Sequence, residues 1–275
     1  LTALRLGELM LDAGLPPGVV NIVPGIGAAG AALVRHPKVD KIAFTGSSEV
    51  GKEIHRETGH TLKRVSLELG GKSPNIVFAD ADVEAAIQGA LMGVFFNQGQ
   101  VCCAGTRLFV ESKLHDDFAK ELAKHAGAMR QGPGIDPKTA VGPLVSSEQL
   151  DRVTGYLAIG KKEGAKALTG GERNTGKGLE GGYFVKPTVF TGVKNSMRIA
   201  QEEIFGPVVS VIPFKDENDA VLQGNNTLYG LAAGVWTKDV SKAHRVARAI
   251  RAGTVWINCY NVFDATAPFG GHKES

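Results

Sequence analysis

Residues 18–51 decide the fold class of this chain, and they read GVVNIVPGIGAAGAALVRHPKVDKIAFTGSSEVG. Apolar, β-branched runs alternate here with Gly-rich turns and with stretches of helical periodicity. The pattern predicts strands at residues 18–23, 41–45 and 64–69, with helices from the 25–30 turn to His36 and from Ser48 to about Glu57. Alternating strands and helices favour right-handed parallel crossovers. Residues 1 to about 70 therefore look like half of a doubly wound sheet.

The rest of the chain also alternates, which predicts a second α/β domain at about residues 71–258. The predicted strands are 75–78, 208–214, 231–236 and 254–258, and the predicted helices run from Asp80 or Asp82 towards Phe96, over 113–130, from Ser146, and over 240–252. Ser146 and Gln149 form a capping box, and Gly253 is typical of a helix end.

Composition excludes several functional classes. The net charge is +3 and no basic run interleaves with aromatic residues, so we expect no nucleic-acid partner. No apolar stretch approaches the length that crosses a bilayer. Three cysteines fit free thiols in a reducing compartment, and no histidine has metal-ligand spacing, so we expect no metal site. The chain begins at Leu1 and ends in a turn-like segment, and we expect it to be a fragment.

Two Gly-bounded turns each follow a predicted strand and precede a predicted helix. Residues 25–30, GIGAAG, match the G-x-G-x-x-G pattern, and residues 46–51 read GSSEVG. Free backbone N–H groups at such turns can hold a pyrophosphate. A tight strand-to-helix turn, capped by Ser47 or Ser48 in the second case, explains the same residues equally well.

Three segments carry side chains that could act in catalysis or in ligand binding. Cys102 lies in a polar, Gly-rich turn (residues 95–105, FFNQGQVCCAG), where backbone N–H groups favour a thiolate; the alternative is a buried small hydrophobe. Glu68, in LELGGKSP (residues 67–74), is a candidate general base or else an exposed strand end. One of the two carboxylates of EEIFGP (residues 202–207), Glu202 or Glu203, either binds ribose hydroxyls with Phe205 stacked nearby or lies in a solvated loop. Cys103 and Cys259 are better explained by packing.

With these residues in hand, the chain resembles the aldehyde dehydrogenase superfamily, and in particular the broad branch with the aliphatic, retinal and betaine aldehyde enzymes. Residues 67–74 look like the family's glutamate signature and residues 95–105 like its cysteine signature, while residues 203–208 and 268–271 match two further motifs in the same order. The resemblance implies an α/β fold, with a partial Rossmann-like nucleotide-binding domain followed by an α/β catalytic domain whose sheet is mostly parallel. It also implies three regions: the C-terminal half of the NAD(P)-binding domain (1–70), the catalytic domain (71–258), and a truncated return segment (259–275).

The resemblance implies roles for individual residues. Cys102, rather than Cys103, is the expected nucleophile; it gives a thiohemiacetal and then a thioester, which is hydrolysed with Glu68 as general base. NAD or NADP is the expected cofactor, held by Gly27, Gly30, Gly46, Ser47, Val50, Gly51, Leu69, Glu203 and Phe205. Phe263 and Phe269 are expected to line the substrate pocket, and Asn258 resembles an asparagine behind the active site. The family's asparagine that completes the oxyanion hole is expected upstream of Leu1.

The resemblance further implies a cytoplasmic protein whose full-length form is a homodimer or homotetramer and whose substrate is a small aldehyde, without a membrane partner. Two alternatives stay open. One is a cofactor-independent thiol esterase or hydrolase, which would need a histidine base near Cys102. The other is a truncated, inactive fragment that keeps only the fold.

Overall fold

The computed structural model describes residues 1–275, which form two units that meet in the chain between Leu67 and Glu68. The smaller unit holds helices α1 (Thr2–Asp12) and α2 (Gly27–Arg35), strand β1 (Lys41–Thr45), helix α3 (Ser48–Thr58) and most of strand β2 (Arg64–Glu68). β1 and β2 pair as a two-stranded sheet. No helix in the chain is both long and apolar enough to cross a bilayer.

The larger unit continues the alternation of strands and helices. Its elements are β3 (Pro74–Val77), α4 (Val83–Phe95), β4 (Arg107–Glu111), α5 (His115–Ala128), α6 (Ser147–Lys162), β5 (Lys166–Thr169), β6 (Thr188–Thr191), α7 (Arg198–Gln201), β7 (Val208–Phe214), α8 (Glu217–Asn225), β8 (Tyr229–Gly230), β9 (Ala232–Trp236), α9 (Val240–Ala249), β10 (Thr254–Ile257) and β11 (His272–Lys273). A 3₁₀ turn, Phe96–Gly99, follows α4 directly.

A seven-stranded sheet organises this unit, in the order β10-β9-β3-β4-β7-β6-β5. Every pairing is parallel except the one between β5 and β6 at the edge. β8 and β11 form a separate antiparallel pair. The α/β fold with a mostly parallel sheet, which the sequence predicts, is therefore confirmed.

The sheet is buried on both faces, because successive side chains of its central strands enter different hydrophobic clusters. Val77 and Leu108 pack in the cluster that contains α4 and α5 residues, whereas Ile76 and Phe109 pack in the cluster with residues of α6, α8 and α9. This alternation is the period of two of a β-strand. It explains why the central strands read as continuous apolar runs, each fully buried side chain contributing about 1.5–3 kcal/mol.

Local capping sets where the helices of the larger unit begin. The Asp82 carboxylate accepts a hydrogen bond from the Ala85 N–H at 3.1 Å and starts α4. Ser146 accepts one from the Gln149 N–H at 3.3 Å and starts α6, as the capping box predicts.

Two predictions about the elements are wrong. Residues 18–23 are not a strand, because no neighbouring strand pairs with their backbone, and an apolar run alone does not satisfy the N–H and C=O groups. α9 ends at Ala249 rather than at residue 252, since Ile250 already has extended backbone (φ −76°, ψ 127°). The extended residues after it lead directly into β10.

Candidate active site

Glu68 ends β2 in a half-buried position. Its Oε2 atom is buried without a hydrogen-bond partner, and burial raises the pKa of the Glu68 carboxyl. A Cβ atom on Gly270 would lie 3.4 Å from Oε1, so the PFGG segment packs against this carboxyl group. A carboxylate with a raised pKa and an unused oxygen is suited to accept a proton.

Cys102 and Cys103 are the two central residues of a turn that we call the thiol turn, residues 101–104. The Ala104 N–H closes it on the Val101 carbonyl at 3.1 Å. The Cys103 side chain points into the core, whereas Cys102 is half-buried. The two thiols of this turn therefore have different surroundings.

The pKa values of the two thiols are shifted in opposite directions. The pKa of Cys102 is lowered from 9.0 to about 7, chiefly by the neighbouring Cys103 thiol; burial opposes this shift, and backbone N–H groups of the turn support it. The Cys103 Sγ itself donates to Asn261 Oδ1 at 3.6 Å. The pKa of Cys103 is raised, because its proton is held by Cys102 and because it is buried. Cys102 is therefore the residue that is available as a thiolate near neutral pH.

The chain reaches the thiol turn through strained backbone. Asn97 and Gln98 have φ values of 48° and 57°, in the left-handed region. Left-handed backbone costs roughly 1–2 kcal/mol for an ordinary residue, and asparagine tolerates it better than glutamine does. Such outliers cluster at functional sites, where the surrounding structure holds them in place.

Close backbone approaches join the predicted motifs. A side chain on Gly71 would collide with the Cys102 carbonyl, and one on Gly70 would meet Glu203 Oε2 at 2.6 Å. The Gly71 N–H donates to Glu203 Oε1 at 3.0 Å. Likewise, a side chain on Gly99 would collide with the backbone of Gly206. The structure thus brings the glutamate, cysteine and EEIFGP segments together, and these glycines allow the contact.

Helix α6 holds the EEIFGP segment through its backbone. The Gln149 side-chain amide donates to the carbonyl oxygens of Ile204 and Phe205, at 3.1 and 2.7 Å. Arg152, almost one turn further along, donates to the Glu203 carbonyl at 2.6 Å. Phe205 is left-handed, with φ 59°, and these bonds help to keep it there. The sequence pattern did not single out Gln149 or Arg152, because their partners lie more than fifty residues away.

Two buried cations, Lys72 in the glutamate segment and Arg107 at the start of β4, were given no role by the sequence patterns. Lys72 is fully buried, which lowers its pKa to about 7, and the charges of Glu203 and Glu202 oppose that shift. Burial also lowers the pKa of Arg107 to about 9. Arg107 donates to the carbonyls of Lys72 and Gly224, both at 2.8 Å, so it ties the glutamate segment to the C-terminal end of α8. The only sequence feature that could have indicated these buried cations is an Arg or Lys next to an apolar strand.

The predicted pocket aromatics lie together. The rings of Phe263 and Phe269 are 5.6 Å apart and edge-on, and Phe263 meets Trp256 at 5.4 Å. Asn258, by contrast, hydrogen-bonds through its side chain to the N–H and the carbonyl of Thr237, both at 3.0 Å. Its observed contacts are therefore with the residue that follows β9.

In the smaller unit, Gly27, Gly30 and Val50 line one cleft of about 660 Å³, together with apolar residues of α2, β1 and α3. Ser47 caps α3 by accepting a hydrogen bond from the Val50 N–H at 3.3 Å. The cleft has a volume typical of small-molecule sites. Such a cleft beside a helix N-terminus suits a ligand that carries phosphate.

Comparison with known proteins gives a consistent result. The model of the aldehyde dehydrogenase family matches residues 1–275. Human mitochondrial aldehyde dehydrogenase is 51% identical over 277 residues, which cover 100% of this chain and 53% of that protein. Betaine aldehyde dehydrogenase of Mesorhizobium japonicum is 50% identical over 275 residues, with 100% and 56% covered.

Among solved structures, the NAD+ complex of aldehyde dehydrogenase from Bacillus cereus has a TM-score of 0.97 and 52% identity. The alignment covers 100% of this chain and 55% of that chain. The chain therefore spans about half the length of the curated relatives and solved structures that it matches.

Proposed function

Because the chain belongs to the aldehyde dehydrogenase family, we propose that it carries the thiol and the base for oxidation of an aldehyde to a carboxylic acid, with NAD+ or NADP+ as the electron acceptor. The observation that carries this proposal is the pairing of the two signatures. Gly71, three residues after Glu68, packs directly against the carbonyl of Cys102. The candidate base and the candidate nucleophile are thus attached to segments in contact.

Cys102 begins the reaction as a thiolate. Its pKa, lowered to about 7, favours this form near neutral pH. The sulfur attacks the carbonyl carbon of the aldehyde, a C–S bond forms, and the former carbonyl oxygen becomes an oxyanion. The backbone N–H of Cys102 stabilises that charge. Loss of a hydride from that carbon, with the C=O bond formed again, leaves a thioester on the Cys102 sulfur; the cofactor, when bound, would accept the hydride.

Glu68 completes the reaction. Its carboxylate takes a proton from water while the water oxygen attacks the thioester carbon; the C–S bond breaks and the carboxylic acid leaves. A raised pKa makes Glu68 a stronger base than an ordinary carboxylate. Its partnerless Oε2 atom is free to accept that proton.

Each of the two units, taken by itself, carries residues that suit one part of a nicotinamide dinucleotide. The cleft beside Gly27, Gly30 and Val50 suits an adenosine in volume and in its apolar lining, and the Ser47-capped N-terminus of α3 suits the phosphates. In the larger unit, we assign the nicotinamide ribose to Glu203. The cofactor supplies the two-electron acceptor when it is bound, and this chain's residues position it.

The test compares Cys102→Ala with Cys259→Ala. The second variant is the control, because it also removes one half-buried thiol. Reduction of NAD+ in the presence of an aldehyde is followed by the absorbance of the reduced nicotinamide. We expect the first variant to lose the reaction and the second to retain it. Acid formed without reduced cofactor would overturn the proposal in favour of a thiol hydrolase, and equal losses in both variants would show that the nucleophile is misassigned.

The proposal includes assembly and location. The family resemblance supports a homodimer or homotetramer for the full-length protein, which light scattering measures directly. All three cysteines are free thiols, which is compatible with a reducing cytoplasm.

A further inference from the structure

The Ser275 hydroxyl joins two segments that are far apart in the chain. It donates a hydrogen bond to the Gly70 carbonyl at 2.7 Å and accepts one from the Gly230 N–H at 3.0 Å. Gly70 lies 205 positions before Ser275, in the glutamate segment (residues 67–74). Because a hydroxyl has one proton to donate, that proton is committed to this carbonyl. Ser275 therefore fixes the direction of a carbonyl in the segment that carries the candidate base.

The HKES segment, residues 272–275, is itself held against the chain that follows α8. Strand β11, which lies within it, pairs antiparallel with β8. Lys273 Nζ donates to the carbonyl oxygens of Asn225 and Thr227, at 2.8 and 3.1 Å. These bonds join side chain and main chain to the same neighbour. The Ser275 hydroxyl is therefore presented from a fixed support.

The peptide between Gly70 and Gly71 is held at both of its polar atoms. Its carbonyl oxygen accepts from Ser275, and its N–H donates to Glu203 Oε1 at 3.0 Å. A Cβ atom on Gly71 would collide with the Cys102 carbonyl, so the peptide is also packed from the side. Because a peptide group is planar, its carbonyl and its N–H turn together. The direction of the Gly71 N–H therefore depends on the Ser275 hydroxyl.

Glu203 carries the oxygen that this N–H meets. Arg152 fixes its main-chain carbonyl, with a hydrogen bond of 2.6 Å, and the Gly71 N–H holds the far end of its side chain at Oε1. A glutamate side chain has several rotatable bonds, and a contact at its carboxylate restricts all of them. The Gly71 N–H thus helps to set where the Glu203 carboxylate lies.

We propose that Ser275 is a positioning residue for Glu203: by anchoring the Gly70 carbonyl, its hydroxyl directs the Gly71 N–H at Glu203 Oε1 and keeps this carboxylate where it holds the nicotinamide ribose. Ser275 acts through the peptide and not on the cofactor. The inference rests on the proposed role of Glu203, and it adds a residue that lies beyond the PFGG motif.

The test compares the binding of NAD+ and of AMP to Ser275→Ala and to the wild type by isothermal titration calorimetry. NAD+ contains the nicotinamide ribose, whereas AMP contains only the part that we assign to the cleft of the smaller unit. We expect Ser275→Ala to bind NAD+ about two- to tenfold more weakly, the range that one hydrogen bond contributes. Its affinity for AMP should match that of the wild type, whereas a general loss of structure would weaken both.

Two further variants separate the hydroxyl from other effects of the substitution. Ser275→Thr keeps a hydroxyl and should bind NAD+ within about twofold of the wild type, because the hydrogen bond is retained. Ser112→Ala is the matched loss elsewhere, since the Ser112 hydroxyl donates to the Phe214 carbonyl at 2.8 Å where β4 and β7 end. It should change neither affinity. A loss in Ser275→Thr as large as that in Ser275→Ala would count against the hydroxyl.

A double-mutant cycle tests whether Ser275 acts through Glu203. In a Glu203→Ala background, Ser275→Ala should change the NAD+ affinity by less than about twofold, because the group through which it acts is gone. An unchanged NAD+ affinity in Ser275→Ala, an equal loss for NAD+ and AMP, or the same fold-loss in both backgrounds would overturn the proposal.

Hydrogen exchange of the Gly71 N–H, followed by NMR, examines the anchor without any nucleotide. Exchange should be about two- to tenfold faster in Ser275→Ala than in the wild type, because the peptide that carries this N–H has lost one of its two bonds. Exchange at the wild-type rate would show that Ser275 does not hold the peptide.

The wild type distinguishes this inference from the proposed function. If the wild type does not bind NAD+ more tightly than AMP, the assignment of the nicotinamide ribose to Glu203 fails, whatever the serine variants do. If the wild type shows that preference and Ser275→Ala matches it, only the role of Ser275 fails.

Discussion

Replacing Cys103 by alanine tests the electrostatics of the thiol turn most directly. The Cys103 thiol is the largest cause of the lowered Cys102 pKa, which falls from 9.0 to about 7. At pH 7, a thiol with a pKa of 7 is about half ionised, and one with a pKa of 9 is about 1% ionised, a ratio of about 50. Backbone N–H groups of the turn remain in the variant and retain part of the effect. We therefore expect Cys103→Ala to react at Cys102 between about fivefold and fiftyfold more slowly at pH 7.

The assay is alkylation of Cys102 by iodoacetamide between about pH 5.5 and about pH 10, a range that spans both limiting pKa values. It needs neither cofactor nor aldehyde, so it reports on the thiol alone. The sign follows from the thiolate: the rate rises as the pH rises through the Cys102 pKa, and the variant should show the same rise at a higher pH. At the alkaline plateau the variant should equal or exceed the wild type, because a thiolate with a higher pKa is intrinsically more nucleophilic.

Cys103→Ser is the matched control, since a serine hydroxyl still donates a hydrogen bond. Its midpoint should stay close to that of the wild type. A Cys103→Ala midpoint that equals the wild-type value would refute the assignment of Cys103 as the donor. A uniform loss at all pH values would show that the turn has been deformed instead.

Three further substitutions probe the surroundings of the thiol turn. Glu68→Gln should slow release of the acid, so that an acyl adduct on the enzyme becomes visible by mass spectrometry. In the wild type, the rate of thioester hydrolysis should fall as the pH falls through the raised Glu68 pKa. A steady-state rate of Glu68→Gln equal to that of the wild type would count against Glu68 as the base. Gly71→Ala should lower the free energy of unfolding by about 1–3 kcal/mol, because the new methyl group collides with the Cys102 carbonyl. Gly155→Ala in α6, where the methyl group meets open space, should raise the free energy of unfolding by about 0.5–1 kcal/mol. Equal melting temperatures for the two variants would contradict this difference. Gln149→Met removes two bonds to the EEIFGP backbone and should raise the KM for the cofactor several-fold without changing alkylation; an unchanged KM would show that α6 does not hold this segment.

Local patterns explain what the sequence could predict. The capping side chains of Asp82 and Ser146 act over three residues, and strand periodicity acts over two, so both can be read from a short window. The same short-range logic separates Cys103, which packs in the core, from Cys102. Residues 18–23 show the limit of such logic, because an apolar run predicts a strand but does not supply the neighbour that a strand needs.

The missed features all depend on distant partners. Arg107 bonds to a carbonyl 35 residues away, Gln149 to one 55 residues away, and Tyr260 to one 157 residues away. The local sequence around each of these side chains gives no sign of a long-range hydrogen bond. Only the order of strands in the sheet brings their partners within hydrogen-bonding distance, and that order is a property of the whole fold.

The long separation between Cys103 and Tyr260 has a consequence for the protein during its synthesis. A ribosome adds about 5–20 residues per second, so about eight to thirty seconds pass between the emergence of the thiol turn and that of Tyr260, whose hydroxyl donates to the Cys103 carbonyl. β9, which pairs with the central strand β3, also arrives late in that interval. Until then the Cys103 carbonyl lacks the tyrosine hydroxyl that donates to it, and β3 lacks its pairing with β9. Alkylation of ribosome-bound chains of increasing length should therefore show Cys103, which is 2% exposed in the folded chain, becoming protected once Tyr260 has emerged and the sheet has closed.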